Sequence, residues 1–192
     1  MARVILALDT ATVSGYAVGA LGERPRSGLI GLTRRESRED VEAALIEFRE
    51  YMLAIISRTS PDIVVFEQPI LPAAQVKFVG PKRRPVAVML TNVWTLRLLY
   101  GLTGTVGLVC HDAGIECREA HIGKVKKAWT GIGTADKQLM LDTARARGFE
   151  IDDNPSAHNE ADALAVWYYM AEQLQPGAIN AVAPALAGPL FG

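Results

Sequence analysis

Two apolar runs that each end in a carboxylate constrain the fold of this chain most strongly. The first lies in residues 3–9, RVILALD, and ends at Asp9, and the second lies in residues 62–69, DIVVFEQP, and reaches Glu67. A continuous apolar run of this length is typical of a strand that is covered on both faces. The two runs therefore predict central strands of one sheet, each carrying an acid at its C-terminal end.

Strand-like and helix-like patterns alternate through the rest of the chain. Three further strands are predicted at residues 14–21, 27–33 and 115–121. Apolar residues at three- and four-residue steps predict helices at residues 37–57, 86–112 (in two pieces interrupted around 101–104), 121–130, 135–147 and 159–175. This order predicts an α/β fold with a mixed five-stranded sheet flanked by helices.

Length and composition bound the class of protein. With 192 residues and a net charge of −1, the chain is expected to form one domain at residues 1–175, followed by an Ala-, Pro- and Gly-rich tail at 176–192. No membrane span is expected, because Arg97, Gly101 and Gly104 interrupt the longest apolar stretch. The chain has only two cysteines, and its start leads directly into a strand without a signal peptide, so we expect a cytoplasmic protein.

Three acids are expected to meet at one edge of the sheet. Functional residues of open α/β sheets gather at the C-terminal ends of the strands, where Asp9 and Glu67 lie. Asp162 is the third acid, because the apolar stripe of the last predicted helix would turn it toward that edge. Taken singly, each acid also fits an ordinary turn or helix-dipole role. Buried together, they require a shared proton or a divalent cation.

The type of ligand indicates which cation this would be. Oxygen ligands without cysteine favour Mg²⁺ or Mn²⁺, and such a cluster suits phosphodiester hydrolysis with two ions. The identity of a fourth ligand is left open. At 100° per residue, His158 and Asn159 lie about 40° and 60° from Asp162 around a helix, whereas Glu160 points to the far side. His158 is the predicted fourth ligand, and Asn159 is alternatively the N-cap of the helix.

Basic residues are clustered although the chain is nearly neutral. Residues 68–85 contain four prolines and predict a long functional loop. Phe78 in this loop either stacks on an unpaired base or anchors the loop to the core. The candidate nucleic-acid contacts of the loop are Lys77, Phe78, Lys82, Arg83 and Arg84.

A second basic group lies in the predicted helices that follow the fifth strand. Lys137 falls in the first turn of a helix that Thr134 is expected to cap, where a cation is unfavourable unless a phosphate binds beside it. Lys124 and Lys127 are candidate phosphate contacts or ordinary solvated lysines.

Four blocks of sequence together resemble one family. LALDTATVSGYAV, VVFEQP, VKKAWTGIGTADK (125–137) and EADALAV follow the order seen in the RuvC family of Holliday-junction resolvases, within the ribonuclease H-like superfamily. The resemblance spans residues 3–172 and implies a ribonuclease H-like fold. One position departs from the family pattern, because Asn159 stands where the family has an acid or a histidine. The longer and more basic loop suggests a phage-type member.

The resemblance implies a metal-dependent, structure-selective endonuclease that acts on four-way junctions or other branched DNA as a homodimer. The products would carry 5′-phosphate and 3′-hydroxyl ends. Two Mg²⁺ or Mn²⁺ ions per site are implied, held by Asp9, Glu67 and Asp162, and His158 is the fourth ligand that the helical angle predicts. Lys126 and Lys137 would contact the scissile phosphate. The apolar region 86–109 is the candidate dimer surface.

Two other interpretations stay open at this point. ILALDTAT also resembles the first strand of TsaB-like proteins, which are actin-like-fold partners in tRNA modification and act through protein contacts. A junction-binding protein with weakened catalysis is the other, because Asn159 supplies no negative charge.

Overall fold

The structure is a computed structural model that describes residues 2–33, 38–69, 76–80, 86–89 and 92–177. Side chains are described for all of these except residues 38–40, 76–78 and 86–89. The strands are β1 (Val4–Asp9), β2 (Val13–Ala20), β3 (Arg26–Gly31), β4 (Ile63–Glu67), β5 (Val76–Val79), β6 (Val86–Met89) and β7 (Glu116–Ala120). The helices are α1 (Arg38–Thr59), α2 (Val93–Asp112), α3 (Ile122–Thr130), α4 (Lys137–Ala146) and α5 (Ala157–Leu174).

One mixed sheet of five strands organises the described residues, in the order β3-β2-β1-β4-β7. The first three strands form an antiparallel meander, and β1, β4 and β7 run parallel. The strands β5 and β6 form a separate antiparallel pair. The predicted fold class, a mixed five-stranded α/β sheet with flanking helices, is therefore confirmed.

Alternation along the central strands divides the core into two layers. Ile5 and Ala7 of β1 pack with α3, α4 and α5 on one face, whereas Leu6 and Leu8 pack with α1 and α2 on the other. Successive side chains of a strand point to opposite faces, so a strand that is covered twice needs apolar residues at every position. This double cover explains the continuous apolar run that ends at Asp9.

Helix α5 lies unusually close to the sheet beside the end of β1. A Cβ atom placed on Gly15, which pairs with Asp9 across the β1–β2 ladder, would lie 1.9 Å from the carbonyl oxygen of Asn159 in α5. Only a glycine leaves room for this contact. The first turn of α5, which precedes Asp162, is thereby brought directly onto the end of the sheet.

The region after β4 differs from the sequence prediction in two ways. Residues 76–79, predicted as loop, and residues 86–89, predicted as the start of a helix, pair instead as β5 and β6. A short apolar run such as VAVM fits a strand as well as a helix, and pairing with β5 decides between them. The predicted break at 101–104 is also wrong, because α2 continues from Val93 to Asp112.

Gly101 explains why α2 continues through the predicted break. A Cβ atom on Gly101 would lie 2.8 Å from a methyl carbon of Leu45 in α1. The glycine therefore permits close packing of two helices, and its cost in helix propensity is offset by that packing. The helix starts later than predicted, at the N-cap Asn92, whose side chain accepts a hydrogen bond from the Thr95 amide at 2.8 Å.

By length and composition alone, α2 is apolar enough to cross a membrane. The sequence had not led us to expect such a segment. Leu98, Leu102, Val106 and Val109 of α2 are buried against the α1 side of the sheet. Much of the helix is nevertheless exposed, including Leu108. The proposed boundary between domain and tail at residue 175 remains a prediction, because residues 178–192 lie outside the described residues.

Replacing Gly15 with alanine is expected to destabilise the fold by about 2 kcal/mol, because the new methyl group overlaps the Asn159 carbonyl and forces α5 away from β2. The measurement is the free energy of unfolding from urea denaturation. Gly31→Ala is the matched control, since Gly31 is also a strand glycine and a methyl group added there would meet no atom within 4 Å. Equal stability of the two variants would contradict the close approach of α5.

Candidate active site

Asp9 and Glu67 occupy corresponding positions on neighbouring strands. Leu8 of β1 pairs with Phe66 of β4 in parallel register, so the acid that follows each of them ends its strand at the same edge. Asp9 continues the row of Ile5 and Ala7, and Glu67 continues the row of Val65, which belongs to the same core layer. Both carboxylates are therefore placed on the face of the sheet that α5 covers.

Asp162 completes this group from the second turn of α5. It is partly buried, and its Oδ1 atom is shielded from solvent and has no hydrogen-bond partner among the residues that the structure describes. A buried carboxylate oxygen without a partner is costly, because it loses its hydration and gains nothing in exchange. The position of Asp162 thus leaves a demand for a proton or a cation at this point.

The pKa values of the three acids report their closeness. Burial raises the pKa of Asp9 well above its usual range, and the charges of Asp162 and Glu67 raise it further. Burial and the charge of Asp162 raise the pKa of Glu67 to about 7, although Lys126 opposes this. Burial also raises the pKa of Asp162 to about 6, against the opposing charges of Lys126 and Lys137. Each acid therefore resists ionisation unless positive charge is added.

Lys126 and Lys137 lie beside the acids but are held by neutral partners. The Lys126 ammonium donates to the Ala135 carbonyl at 2.7 Å, and the Lys137 ammonium donates to Nε2 of His158 at 2.9 Å. Both charges act on Asp162. The sequence identified the two lysines, but their neutral acceptors are tertiary contacts that no local pattern indicates.

The helix that carries Lys137 starts differently from the prediction. Asp136, and not Thr134, is the N-cap of α4, because its carboxylate accepts a hydrogen bond from the Leu139 amide at 2.9 Å. Lys137 is then the first residue of the helix. The amide groups at the N-terminus of α4 remain a favourable place for a phosphate group.

The three neighbouring candidates for a fourth ligand have different surroundings. His158 accepts from Lys137 through Nε2, and burial together with the Lys137 charge lowers the pKa of His158. Asn159 donates through Nδ2 to the Val13 carbonyl at 2.5 Å. Glu160 is buried and accepts from Ser27 of β3 at 2.7 Å, on the side of α5 away from the acids.

The start of α5 also corrects one alternative from the sequence. Asn159 is not the N-cap, because α5 begins at Ala157 after the N-cap Ser156. The helix is thus already formed at His158, which the angular comparison with Asp162 requires. That His158 serves as a ligand stays a prediction, and it requires Lys137 to release the nitrogen.

The candidate nucleic-acid contacts are only partly described. Lys124 and Lys127 are exposed on α3. Lys77 and Phe78 belong to β5, but their side chains are outside the described residues, so the two alternatives for Phe78 stay open. Lys82, Arg83 and Arg84 lie outside the described residues altogether.

The three carboxylates fit a divalent cation chemically. They are oxygen donors, the ligand type of Mg²⁺ and Mn²⁺, and the unpartnered Asp162 Oδ1 offers one free position. In the described part of the chain, no three His, Cys, Asp or Glu side chains already surround a common point as ligands would. Mutual repulsion of the carboxylates opposes such convergence, and a cation would reverse it.

Comparison with known proteins yields similarity at the level of structure. The sequence matches no protein-family model, and no curated protein matches it significantly. The fold is similar to that of RuvC from Thermus thermophilus, with a TM-score of 0.62 and 20% identity over 92% of this chain and 98% of that one. The same RuvC in complex with a Holliday junction substrate gives a TM-score of 0.63 and 18% identity, covering 92% and 97%.

A more distant resolvase has the same fold. The yeast mitochondrial Holliday junction resolvase Ydc2 gives a TM-score of 0.55 and 9% identity, covering 92% of this chain and 82% of that one. The RuvC-like resemblance inferred from the sequence blocks is thereby confirmed as a shared fold.

The stability of the metal-free protein is expected to fall as the pH rises from about 4 to about 7. The folded pKa values of these acids are raised above those of the unfolded chain, so in this range the unfolded state ionises first and is favoured. Asp162→Asn should therefore stabilise the protein by about 2 kcal/mol at pH 7.5, and the slope with pH should flatten.

The measurement is urea denaturation in EDTA at pH 5, 6 and 7.5. Glu42→Gln, which removes an exposed carboxylate on α1, is the control and should keep the wild-type slope. The unfavourable ionisation of the acids would be contradicted if the wild type gained stability from pH 5 to 7.5 and Asp162→Asn showed the same change with pH.

Proposed function

We propose that this protein is a divalent-metal-dependent endonuclease that hydrolyses phosphodiester bonds in branched DNA, with the four-way junction as its main substrate. The observation that carries the proposal is the group of Asp9, Glu67 and Asp162 at one sheet edge, with a buried carboxylate oxygen that has no partner. The fold that presents this group is shared with RuvC, a protein solved in complex with a Holliday junction substrate. The carboxylate group supports metal-dependent hydrolysis, and the shared fold supports branched DNA as the substrate.

Asp9, Glu67 and Asp162 are the proposed metal ligands, with His158 as the proposed fourth. When bound, two Mg²⁺ or Mn²⁺ ions supply activation of the attacking water and stabilisation of the leaving oxygen. The raised pKa values mean that the carboxylates must lose protons as the ions bind, so affinity should weaken below about pH 6 to 7.

Lys126 and Lys137 are the proposed contacts to the scissile phosphate. Each ammonium is fixed by a neutral acceptor and forms no ion pair with a carboxylate of the described residues, so its charge remains available to a phosphate. A lysine that is already oriented loses less freedom when the substrate binds. The exposed Lys124 and Lys127, with the candidate loop residues Lys77, Phe78, Lys82, Arg83 and Arg84, are proposed to hold the DNA arms.

A homodimer is proposed because a four-way junction offers two symmetric strands to cut, and one site cuts only one. Helix α2 is the proposed interface. Its exposed apolar side chains include Val93, Trp94 and Leu108, of which Leu108 is 69% exposed. An apolar surface of this kind gains stability when a second subunit covers it. The proposed location is the cytoplasm of a bacterial or phage-infected cell.

A second candidate function is junction binding with weakened catalysis. Asn159 favours it, because its amide is neutral and donates to the Val13 carbonyl instead of adding negative charge near Asp162. The TsaB-like alternative has gained no comparable observation.

The cleavage experiment uses a labelled four-way junction and a linear duplex of the same sequence, with Mg²⁺, Mn²⁺ or EDTA. Wild type should nick the junction near the branch only when the metal is present. Asp9→Asn and Asp162→Asn should each slow cleavage by about 100-fold or more, because charge stabilisation at the reacting phosphate is lost. The control Glu42→Gln removes an exposed acid on α1 and should cleave normally.

Each outcome separates the candidates. Junction binding without cleavage would favour the weakened protein, and equal binding to junction and duplex would exclude both functions. His158→Ala should reduce activity in Mn²⁺ and Mg²⁺ if the histidine is a ligand. Unchanged activity of this variant would leave the three carboxylates as the whole ligand set.

Leu108→Glu is expected to shift the protein toward a monomer, because a charge placed in an apolar interface is strongly unfavourable. Sedimentation velocity over a range of protein concentrations measures the shift. Ile132→Glu is the control, since Ile132 is 51% exposed but lies in the turn between α3 and α4. A monomeric wild type, or a dimer that survives Leu108→Glu, would contradict the proposed interface.

A further inference from the structure

A pocket lies on the α3, α4 and α5 face of the protein, away from the carboxylates. Its volume is about 180 Å³, and it is partly open to solvent. The turn after β2, the ends of α3 and α4, and the middle of α5 form its walls. Because Ala20 at the end of β2 pairs with Val4, and Gly15 with Asp9, the turn lies at the opposite edge of the sheet. Five residues of strand separate the two edges by about 17 Å.

Two guanidinium groups stack on aromatic rings in this pocket. Arg147 Cζ lies 4.6 Å from the centre of the Trp129 ring and 4.3 Å from that of Tyr168. Arg24 Cζ lies 4.1 Å from the centre of the Phe149 ring. Such contacts orient a guanidinium plane without neutralising its charge.

Backbone carbonyls fix the same two groups further. Arg24 donates to the carbonyls of Gly148 and Arg147, and Arg147 donates to the Trp129 carbonyl at 3.1 Å. Neither arginine forms an ion pair with a carboxylate of the described residues. By contrast, the nearby Arg145 is paired with Asp153. Two cations are thus held at one pocket without a counter-charge, although each guanidinium has five donors.

The combination of unfilled space and uncompensated charge points to a ligand. The pocket opens to solvent, Arg147 is exposed and Arg24 is partly exposed, so a ligand has access to the space between them. Two unpaired guanidiniums attract a phosphate, which they bind in a planar fork geometry. The rings of Phe149 and Tyr168 are partly exposed, and together with the guanidinium planes they offer surfaces on which a planar base can stack.

The size of the pocket limits the ligand to a single ring system. A cavity of about 150 Å³ accommodates benzene, and drug-sized ligands need about 300 Å³ or more. We propose that this pocket binds one nucleotide, with its base against the rings and its phosphate on Arg24 and Arg147. The nucleotide is either an unpaired residue of a DNA strand or a free nucleoside monophosphate, since both present the same chemistry.

The binding experiment titrates the whole protein with deoxyadenosine monophosphate in EDTA and follows heat by calorimetry. Binding should be saturable, and Arg147→Gln and Arg24→Gln should each weaken it about tenfold or more, the effect of losing one charge-assisted contact. Arg145→Gln is the matched control, because it removes a paired arginine two residues away and should bind like wild type. Thermal melting of each variant establishes that it is folded. If one of Arg147→Gln and Arg24→Gln does not fold, the other is enough for the test.

Deoxyadenosine and inorganic phosphate are titrated in parallel, and both should bind at least about tenfold more weakly than the nucleotide. Phosphate binding as tight as that of the nucleotide would overturn the role of the rings. Absence of saturable nucleotide binding, or equal losses in Arg145→Gln, would overturn the proposal. Preference for a short acidic peptide with one aromatic residue over the nucleotide would overturn it as well.

A second arm distinguishes the two sources of the nucleotide. A junction with a three-nucleotide single-stranded flap is compared with a flush junction, again in EDTA. The pocket is assigned to DNA if the flap junction binds more tightly than the flush junction. Arg147→Gln should then abolish this difference, and the free nucleotide should compete it away. Identical binding of both junctions assigns it to the free nucleotide. None of these measurements needs cleavage, so they separate this inference from the proposed nuclease activity.

Discussion

The cost of holding three carboxylates together at one partly buried edge is the constraint on which the rest of the structure depends. Burial raises the pKa of Asp9, Glu67 and Asp162, and the charge of Asp162 raises the pKa of Asp9 and Glu67 further. A soluble domain without function would gain stability by separating them. Here the parallel register of β1 and β4 fixes the positions of Asp9 and Glu67, and the close packing of α5 on Gly15 places Asp162 beside them.

The lysines beside this edge are arranged in keeping with the same constraint. If Lys126 and Lys137 formed direct ion pairs, they would satisfy the acids and remove the demand for a cation. Their ammonium groups bind the Ala135 carbonyl and His158 instead, which keeps them close without full compensation. The result is a site whose negative charge is reduced but not cancelled, with two ammonium groups beside the carboxylates.

The sequence predicts those features that depend on burial and on the order of elements along the chain. It does not predict features that depend on contact with a residue far away in the chain. The acids at the ends of β1 and β4 could be recognised because a doubly covered strand requires an unbroken apolar run. The sequence predicts a helix at 86–89, because only the pairing with β5 distinguishes a strand from a helix there. It predicts a helix break at Gly101, because the partner of this glycine, Leu45, lies more than fifty positions away. The pocket beside Arg24 and Arg147 has no sequence signal for the same reason, since its arginines and rings come from separate segments.

The placement of Asp162 on the final described helix has a consequence for the protein during synthesis. Helix α5 packs against β1 and β2, which precede it by more than 130 residues, so their inner face stays uncovered until α5 has been made. Contacts between such distant parts of a chain form late in folding. A chain that ends before α5 therefore lacks the third acid and exposes this apolar face, so the group of three acids and the closed core form together.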